Sequence, residues 1–371
     1  MIKILFFIQD LSGGGAEKVL CNLVNNMDLS KFDITVQTVN KHDPKEYLKK
    51  GIHYKSIIHS GTKFGKKWKE CWYRFCTEFK LTYPLYIKDD YDIEVAYLEC
   101  GATKVMAAST NKRAKKIAWV HCDVKKKGLT AKKTGKYYLK YDQVVCVSES
   151  SKSSFEEVFS NYAKATVLYN VIDEEEIYQK LQEKQDNRWE TDVFHILTVG
   201  RICFEKGCDR LLRVCELLKI HGYNFKIHLL GDGPDKEQLI ERAKELGVSN
   251  YIEFEGFKSN PYPYMNNADL IVIPSRSEAL STVAIESLII GKPVVTTPCS
   301  GMRELLGESE YGIITDDSVE SLYISIKRMI DSPDLLKMYA EAARRRGLSF
   351  RKEEIVKKTE ALFEKLLNNR I

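Results

Sequence analysis

Two glutamates separated by seven residues, Glu278 and Glu286, stand in the run Pro274-Ser-Arg-Ser-Glu-Ala-Leu-Ser-Thr-Val-Ala-Ile-Glu286. The apolar segment 269–274 reads as a buried parallel strand, and 281–290 reads as a helix that Gly291-Lys-Pro293 brings to an end. A strand that feeds a helix N-terminus through a loop is where open α/β sheets take their ligands. The first backbone N–H groups of such a helix lack intrahelical partners and attract anions. Glu278 falls in the loop and Glu286 more than a turn into the helix, so the two carboxylates flank an anion-binding helix start. Either would repel a phosphate it faced, yet both suit hydroxyls at the two ends of a longer ligand. A sugar nucleotide has that layout, with sugar hydroxyls, a diphosphate and ribose hydroxyls in series. The plainer alternative is a pair of solvated carboxylates.

Two further clusters bear on the choice. The strand-like segment 194–199 is followed by Gly200-Arg201-Ile-Cys-Phe-Glu-Lys206-Gly207, then by a helix with Leu211, Leu212, Cys215 and Leu218 on one stripe. Arg201 and Lys206 thus sit at the mouth of a strand-to-helix turn, where a planar guanidinium and an ammonium would hold a diphosphate. Near the N-terminus, Ser12-Gly13-Gly14-Gly15-Ala16-Glu17 follows the apolar strand Ile2–Ile8. It precedes a helix whose stripe is Val19, Leu20, Leu23, Val24 and Met27. Glycines there let a ligand approach the backbone. The run is neither the G-x-G-x-x-G fingerprint nor a P-loop. A solvated basic loop and a flexible turn are the respective alternatives.

These elements need a scaffold. A chain of 371 residues exceeds what one hydrophobic core usually serves, and each half repeats strand-then-helix patterns, so two doubly wound α/β domains are expected. The polar stretch 172–192 lacks a strand pattern and marks the boundary. The ten cysteines show no zinc-ligand spacing, and Cys146 in a Val-Val-Cys-Val run reads as a small core residue. No secretory leader or membrane-spanning run is evident, so a reduced, cytoplasmic setting is expected. Residues 1–170 hold 29 Lys and Arg against 18 Asp and Glu, a net +11; residues 171–371 hold 28 against 34, a net −6. A basic first half suits an anionic membrane surface, a diphosphate-lipid acceptor or nucleic acid. In segment 63–80, Trp68, Trp72, Phe75 and Phe79 fall on one helical face with Lys66, Lys67, Lys69 and Arg74 nearby. That face either packs on its own sheet or lies in a bilayer interface. The run Lys125-Lys126-Lys127 is a solvated turn or a contact for lipid phosphate.

Taken together, the motifs resemble retaining glycosyltransferases of family 4, with the GT-B fold. The likeness runs through Gly13-Gly14-Gly15-Ala16-Glu17, Trp119-Val-His121, Tyr169-Asn170-Val-Ile-Asp173, Gly200-Arg201…Lys206-Gly207, Leu230-Gly231-Asp-Gly233 and Glu255-Gly256-Phe257. It continues through Pro274-Ser275…Glu278…Glu286 and Gly291-Lys-Pro293. The resemblance implies two Rossmann-like domains facing a central cleft: an acceptor-binding domain over 1–172 and a nucleotide-sugar domain over 193–350. A last helix, 351–371, would cross back to the first domain. It implies that Glu278 contacts the donor sugar and that Glu286 holds the ribose. Arg201 and Lys206 would hold the diphosphate, and the Gly14-Gly15 loop would approach the donor. His121 would lie beside the reacting sugar. Where many relatives have Gly-Phe after the first glutamate, this chain has Ala279-Leu280.

The chemistry that follows is transfer of a sugar from a nucleoside diphosphate, UDP by preference, to an acceptor hydroxyl with anomeric retention. Arg201, Lys206 and the helix amides around Ser281 and Thr282 would stabilise the charge growing on the leaving diphosphate, more strongly in the transition state than before it. No metal cofactor is expected, because two cations and a helix terminus can do its work. Glu278 would orient the sugar rather than attack it, and His121 would bond a hydroxyl or stabilise positive charge through its carbonyl. The expected acceptor is a glycan or a polyprenyl-diphosphate-linked glycan of a surface polysaccharide. The expected setting is cytoplasmic, at the inner face of the cell membrane if the basic domain docks there, and no nucleic acid is expected. A sugar-nucleotide epimerase would need an acid/base carboxylate pair that the sequence does not reveal. The remaining rival is a non-catalytic nucleotide- or membrane-binding module.

Overall fold

The structure is a computed structural model that describes residues 1–11, 14–58, 63–159, 161, 164–183 and 189–368; the side chains of 63–67 are outside the description. Gly13 of the glycine run and the side chains of Lys66 and Lys67 therefore lie outside the described residues. The chain divides into two compact units, one of Met1–Val171 with Lys352–Ile371 and one of Ile172–Arg351.

The first unit is built on β1 (Ile2–Ile8), β2 (Phe32–Asn40), β3 (His53–Ile58), β4 (Ile93–Ala96), β5 (Lys115–Val120), β6 (Gln143–Cys146) and β7 (Ala165–Val167). All pairs are parallel, in the order β3-β2-β1-β4-β5-β6-β7. The second unit has β8 (Phe194–Val199), β9 (Phe225–Leu230), β10 (Ile252–Gly256), β11 (Leu270–Ile273), β12 (Val294–Thr296) and β13 (Ile313–Ile314). Its order is β10-β9-β8-β11-β12-β13, again all parallel. Central strands covered by helices on both faces read as continuous apolar runs. Accordingly Ile4 through Ile8, and Leu270 through Ile273, are buried without alternation. In both sheets the strand order reverses beside the first strand of the unit, between β1 and β4 and between β8 and β11. Such a switch point opens a crevice at the strands' carboxyl ends.

Helices close over these sheets with the stripes the sequence predicts. Leu211, Leu212, Cys215 and Leu218 of the Cys208–Ile220 helix are fully buried, as are Val19, Leu20, Leu23 and Val24 of the Gly15–Asn26 helix. The Lys352–Asn368 helix packs in the first unit, where the Phe363 ring lies 6.1 Å from Phe6 and 6.4 Å from Phe32. Each such buried ring contributes roughly 1.5–3 kcal/mol of transfer free energy. The described part of the stretch 172–192 holds no strand, but it does hold a helix. Asp173 accepts from Glu176 N at 3.1 Å and starts a helix over Glu174–Leu181, of which only Ile177 is buried. With one buried side chain, that helix leaves almost no periodic signal. No described helix is long and apolar enough to cross a membrane.

Candidate functional site

In the second unit the two central strands β8 and β11 lie side by side, and the loops that leave them meet. One hollow is lined by Gly200, Arg201 and Lys206 from the first loop and by Ser275, Glu278 and Ser281 from the second. Two glycines hold the second loop. Gly207, at φ +67°, sits so close that an added Cβ would stand 2.1 Å from the Pro274 carbonyl oxygen. Gly301, at φ +78°, presses as closely on the Ala279 carbonyl. No residue with a side chain fits either place. The Ala279 and Leu280 side chains turn inward and are buried, so this departure from the family pattern adds to the packing beneath the loop.

Lys206 Nζ lies 2.5 Å from Glu278 Oε1, and the Ser275 hydroxyl donates to the same oxygen at 2.9 Å. Burial by itself would lower the Lys206 pKa, but the Glu278 carboxylate outweighs it and the pKa is raised. Lys206 is therefore charged and paired with Glu278. Arg201 is exposed, with no carboxylate at ion-pair distance among the described residues. Ser281 caps the Thr282–Ile290 helix by accepting from Ala284 N at 3.3 Å. That bond occupies one early amide; those of Thr282 and Val283 remain in the first turn at the hollow's edge. Glu286 is not among the residues lining the hollow. It is 4% exposed and accepts from the Tyr262 hydroxyl at 3.2 Å.

The sequence reading missed Arg276. Its guanidinium pairs with both oxygens of Asp209 at 2.7 Å, donates to the Phe204 carbonyl at 2.9 Å and covers the Phe204 ring at 4.2 Å. Its backbone N–H donates to the Glu205 carbonyl at 2.8 Å. One residue of the Glu278 loop thereby fixes the turn that carries Lys206. No sequence signal singles it out, because Asp209 and Arg276 are 67 residues apart.

The first unit presents its own strand ends. Gly14 N–H donates to Glu17 Oε2 at 2.8 Å, so the described part of the glycine run closes on its own helix. Gly15 begins that helix. After β5, the backbone N–H of His121 donates to Glu99 Oε2 at 3.1 Å, and the ring lies 4.8 Å from Tyr97. Burial pushes the His121 pKa down to about 4, and its enclosed Nε2 has no hydrogen-bond partner among the described residues. Glu99, another residue the sequence reading missed, follows β4 and pairs with Lys127 Nζ at 3.2 Å. Burial alone would raise its pKa, yet Lys127 and His121 hold it below the ordinary value. Lys125 pairs with Glu157 at 2.6 Å. Lys125 and Lys127 of this run are thus committed to carboxylates.

A family model described as glycosyl transferases group 1 matches residues 179–346. A 4-alpha-N-acetylgalactosaminyltransferase of Campylobacter jejuni is 30% identical, over 96% of this chain and 98% of that protein. Its full name places N-acetylgalactosamine-N,N'-diacetylbacillosaminyl-diphospho-undecaprenol before that activity. The amylovoran biosynthesis glycosyltransferase AmsD of Erwinia amylovora is 24% identical over 96% and 98%. Among solved structures, Anabaena Alr3699/HepE in complex with UDP-glucose superposes with a TM-score of 0.75 at 19% identity, covering 98% of this chain and all of that one. Sucrose-phosphate synthase of Thermosynechococcus elongatus reaches 0.80 at 16% identity over the whole of both chains.

Proposed function

Since the chain belongs to the glycosyl transferases group 1 family, we propose that it moves a sugar from a nucleoside diphosphate onto a hydroxyl of a lipid-diphosphate-linked glycan, retaining the anomeric configuration. It is a glycosyltransferase with two parallel-sheet units of the GT-B kind. UDP is the proposed nucleotide. The observation that carries the reading is the meeting of the β8 and β11 loops at a switch point, where Arg201, Lys206, Glu278 and a helix start line one hollow.

The chemistry follows from those residues. Breaking the anomeric bond loads negative charge on the departing diphosphate. Arg201, exposed and uncommitted to a carboxylate, supplies a planar cation for it. Lys206 brings a second cation, whose attraction strengthens as charge builds on the leaving diphosphate, which favours the transition state over the ground state. The amides of Thr282 and Val283 add fixed dipoles. Glu278 is held by Lys206 and Ser275, which suits it to accept from a sugar hydroxyl in a set orientation. Glu286 is assigned the ribose by resemblance; its burial against Tyr262 supports a preset orientation. His121, neutral at pH 7, is assigned the reacting sugar, with its Nε2 available as donor or acceptor. No metal is assigned a part, and turnover should survive chelation. The acceptor class is supported by the Campylobacter relative, whose name carries a diphospho-undecaprenol glycan. Such an acceptor puts the work at a membrane surface, at its cytoplasmic face where nucleotide sugars are made.

The test is acceptor-dependent release of nucleoside diphosphate, scored over UDP- and GDP-sugars, with the anomeric configuration of the product read by NMR coupling. Release without acceptor dependence, or an inverted product, would remove the reading. Thermal stabilisation by the same donor panel reports binding separately, since a ligand of the native state raises its stability by mass action.

A further inference from the structure

The Glu286 carboxylate lies on the Thr282–Ile290 helix and is almost wholly buried. A glutamate side chain turns about several bonds, and a buried anion needs partners that both satisfy and orient it. Tyr262 supplies one of them. Its hydroxyl donates to Glu286 Oε1 at 3.2 Å. The Tyr262 side chain is itself only 1% exposed, so the ring has little room to swing away. Burial also strengthens the bond, because little water screens it.

Tyr262 is held in turn. It stands between Pro261 and Pro263, whose rings restrict the backbone on either side. Its backbone N–H donates to Asn260 Oδ1 at 3.2 Å. The Asn260 side-chain amide then donates to the Lys180 carbonyl and to Glu183 Oε2, each at 2.8 Å. The Tyr262–Asn267 helix packs on both the Glu174–Leu181 and the Thr282–Ile290 helices, and those two pack on each other. The Tyr178 hydroxyl adds a bond to the Ile289 carbonyl at 3.4 Å. A path of bonds thus runs from the first helix of the second unit, through Asn260 and Tyr262, to Glu286. A carboxylate set before its ligand arrives loses less side-chain freedom on binding. A polar group fixed in this way is what lets a site reject a ligand that lacks the matching hydroxyl.

We propose that Tyr262 is a positioning residue for Glu286, and that Asn260 enlists the Glu174–Leu181 helix in the same task, so that together they set a preference for ribose over deoxyribose in the bound nucleotide. This role rests on the ribose assignment of Glu286 proposed above; Tyr262 acts through Glu286 and not on the ligand. The test is calorimetric binding to the full chain of UDP and 2′-deoxy-UDP, and of the matching guanosine pair, with the tighter pair scored. Wild type should hold the ribonucleotide at least about tenfold more tightly than its deoxy counterpart. Tyr262→Phe keeps the ring and removes the hydroxyl. The ribonucleotide should then weaken by roughly tenfold and the deoxy form by less than about twofold, so that the preference collapses. Asn260→Asp keeps the oxygen that the Tyr262 N–H bonds, loses both donated bonds and sets a carboxylate against Glu183. It should reduce the preference by about threefold. Glu286→Ala should abolish the preference, and Tyr262→Phe added to it should lower affinity no further. A tyrosine that only fills space would lower the melting temperature and weaken both nucleotides alike. That pattern, a wild-type preference in Tyr262→Phe, or additive losses in the double variant would overturn the proposal. A wild type that binds both forms equally would remove the ribose assignment itself, and the proposal with it, so the two failures give different results.

Discussion

The two units carry the same kind of sheet but treat charge in opposite ways. The half with net +11 commits its donors at the strand ends: the cations Lys127 to Glu99 and Lys125 to Glu157, and the neutral Gly14 amide to Glu17. The half with net −6 keeps Arg201 exposed beside a helix start and leaves Lys206 only partly offset by Glu278. Net charge of a region is therefore a poor guide to where an anion sits. What matters is whether a cation has already met a carboxylate. Exposed cations of the first half, Arg74, Lys80, Lys132, Lys133, Lys136 and Lys140 among them, stand apart from those paired strand ends.

The largest expected effects test the second unit's side of this contrast. Arg201→Ala and Glu278→Ala should each lower kcat/KM by roughly a hundredfold or more, about 3 kcal/mol, with little change in melting. Nucleotide release measures it, and near-wild-type turnover in both would remove the site. Arg276→Ala should follow at about tenfold. Arg276→Lys should rescue it poorly, because an ammonium cannot form the two-oxygen pair with Asp209. A merely structural Arg276 would lower the melting temperature and leave the ratio of kcat to KM where it was.

In the first unit the contrast can be read from pH. The His121 pKa is lowered in the fold, from an ordinary 6.5 to about 4, so the unfolded chain binds the extra proton between those values. Stability is then full above pH 6.5 and falls as pH drops towards 4, by about 2 kcal/mol between pH 7 and pH 5. Denaturant titrations should show that slope, and His121→Gln should flatten it. The smallest effect belongs to Glu17→Ala, which frees the Gly14 N–H at a cost of about 1 kcal/mol. If the donor needs that amide, its affinity should rise in this variant; an unchanged KM would leave the glycine turn with a structural part only.

Much of the fold is legible from local pattern. Ile2–Ile8 and the segment 194–199 are strands as read, 269–274 contracts to Leu270–Ile273, and the helix read at 281–290 begins at Thr282 with Ser281 as its cap. Apolar runs and glycine punctuation act within a few residues, so one sequence displays them. The helix over Glu174–Leu181 escaped because it buries a single side chain. Of the site, Arg201, Lys206, Glu278 and Ser281 come together in one hollow, while Glu286 lies buried outside its lining.

By itself, then, the sequence determined two sets of alternating strands and helices, with a doublet of cations after one strand and a doublet of glutamates after another. The tertiary structure decided that Lys206 meets Glu278 across 72 residues, that Arg276 binds the opposite turn, and that the Trp68–Phe79 rings face water. The physical reason is range. Backbone preference and hydrophobic period are settled within one element, but which charge neutralises which, and which face stays exposed, depends on the order in which strands assemble into a sheet.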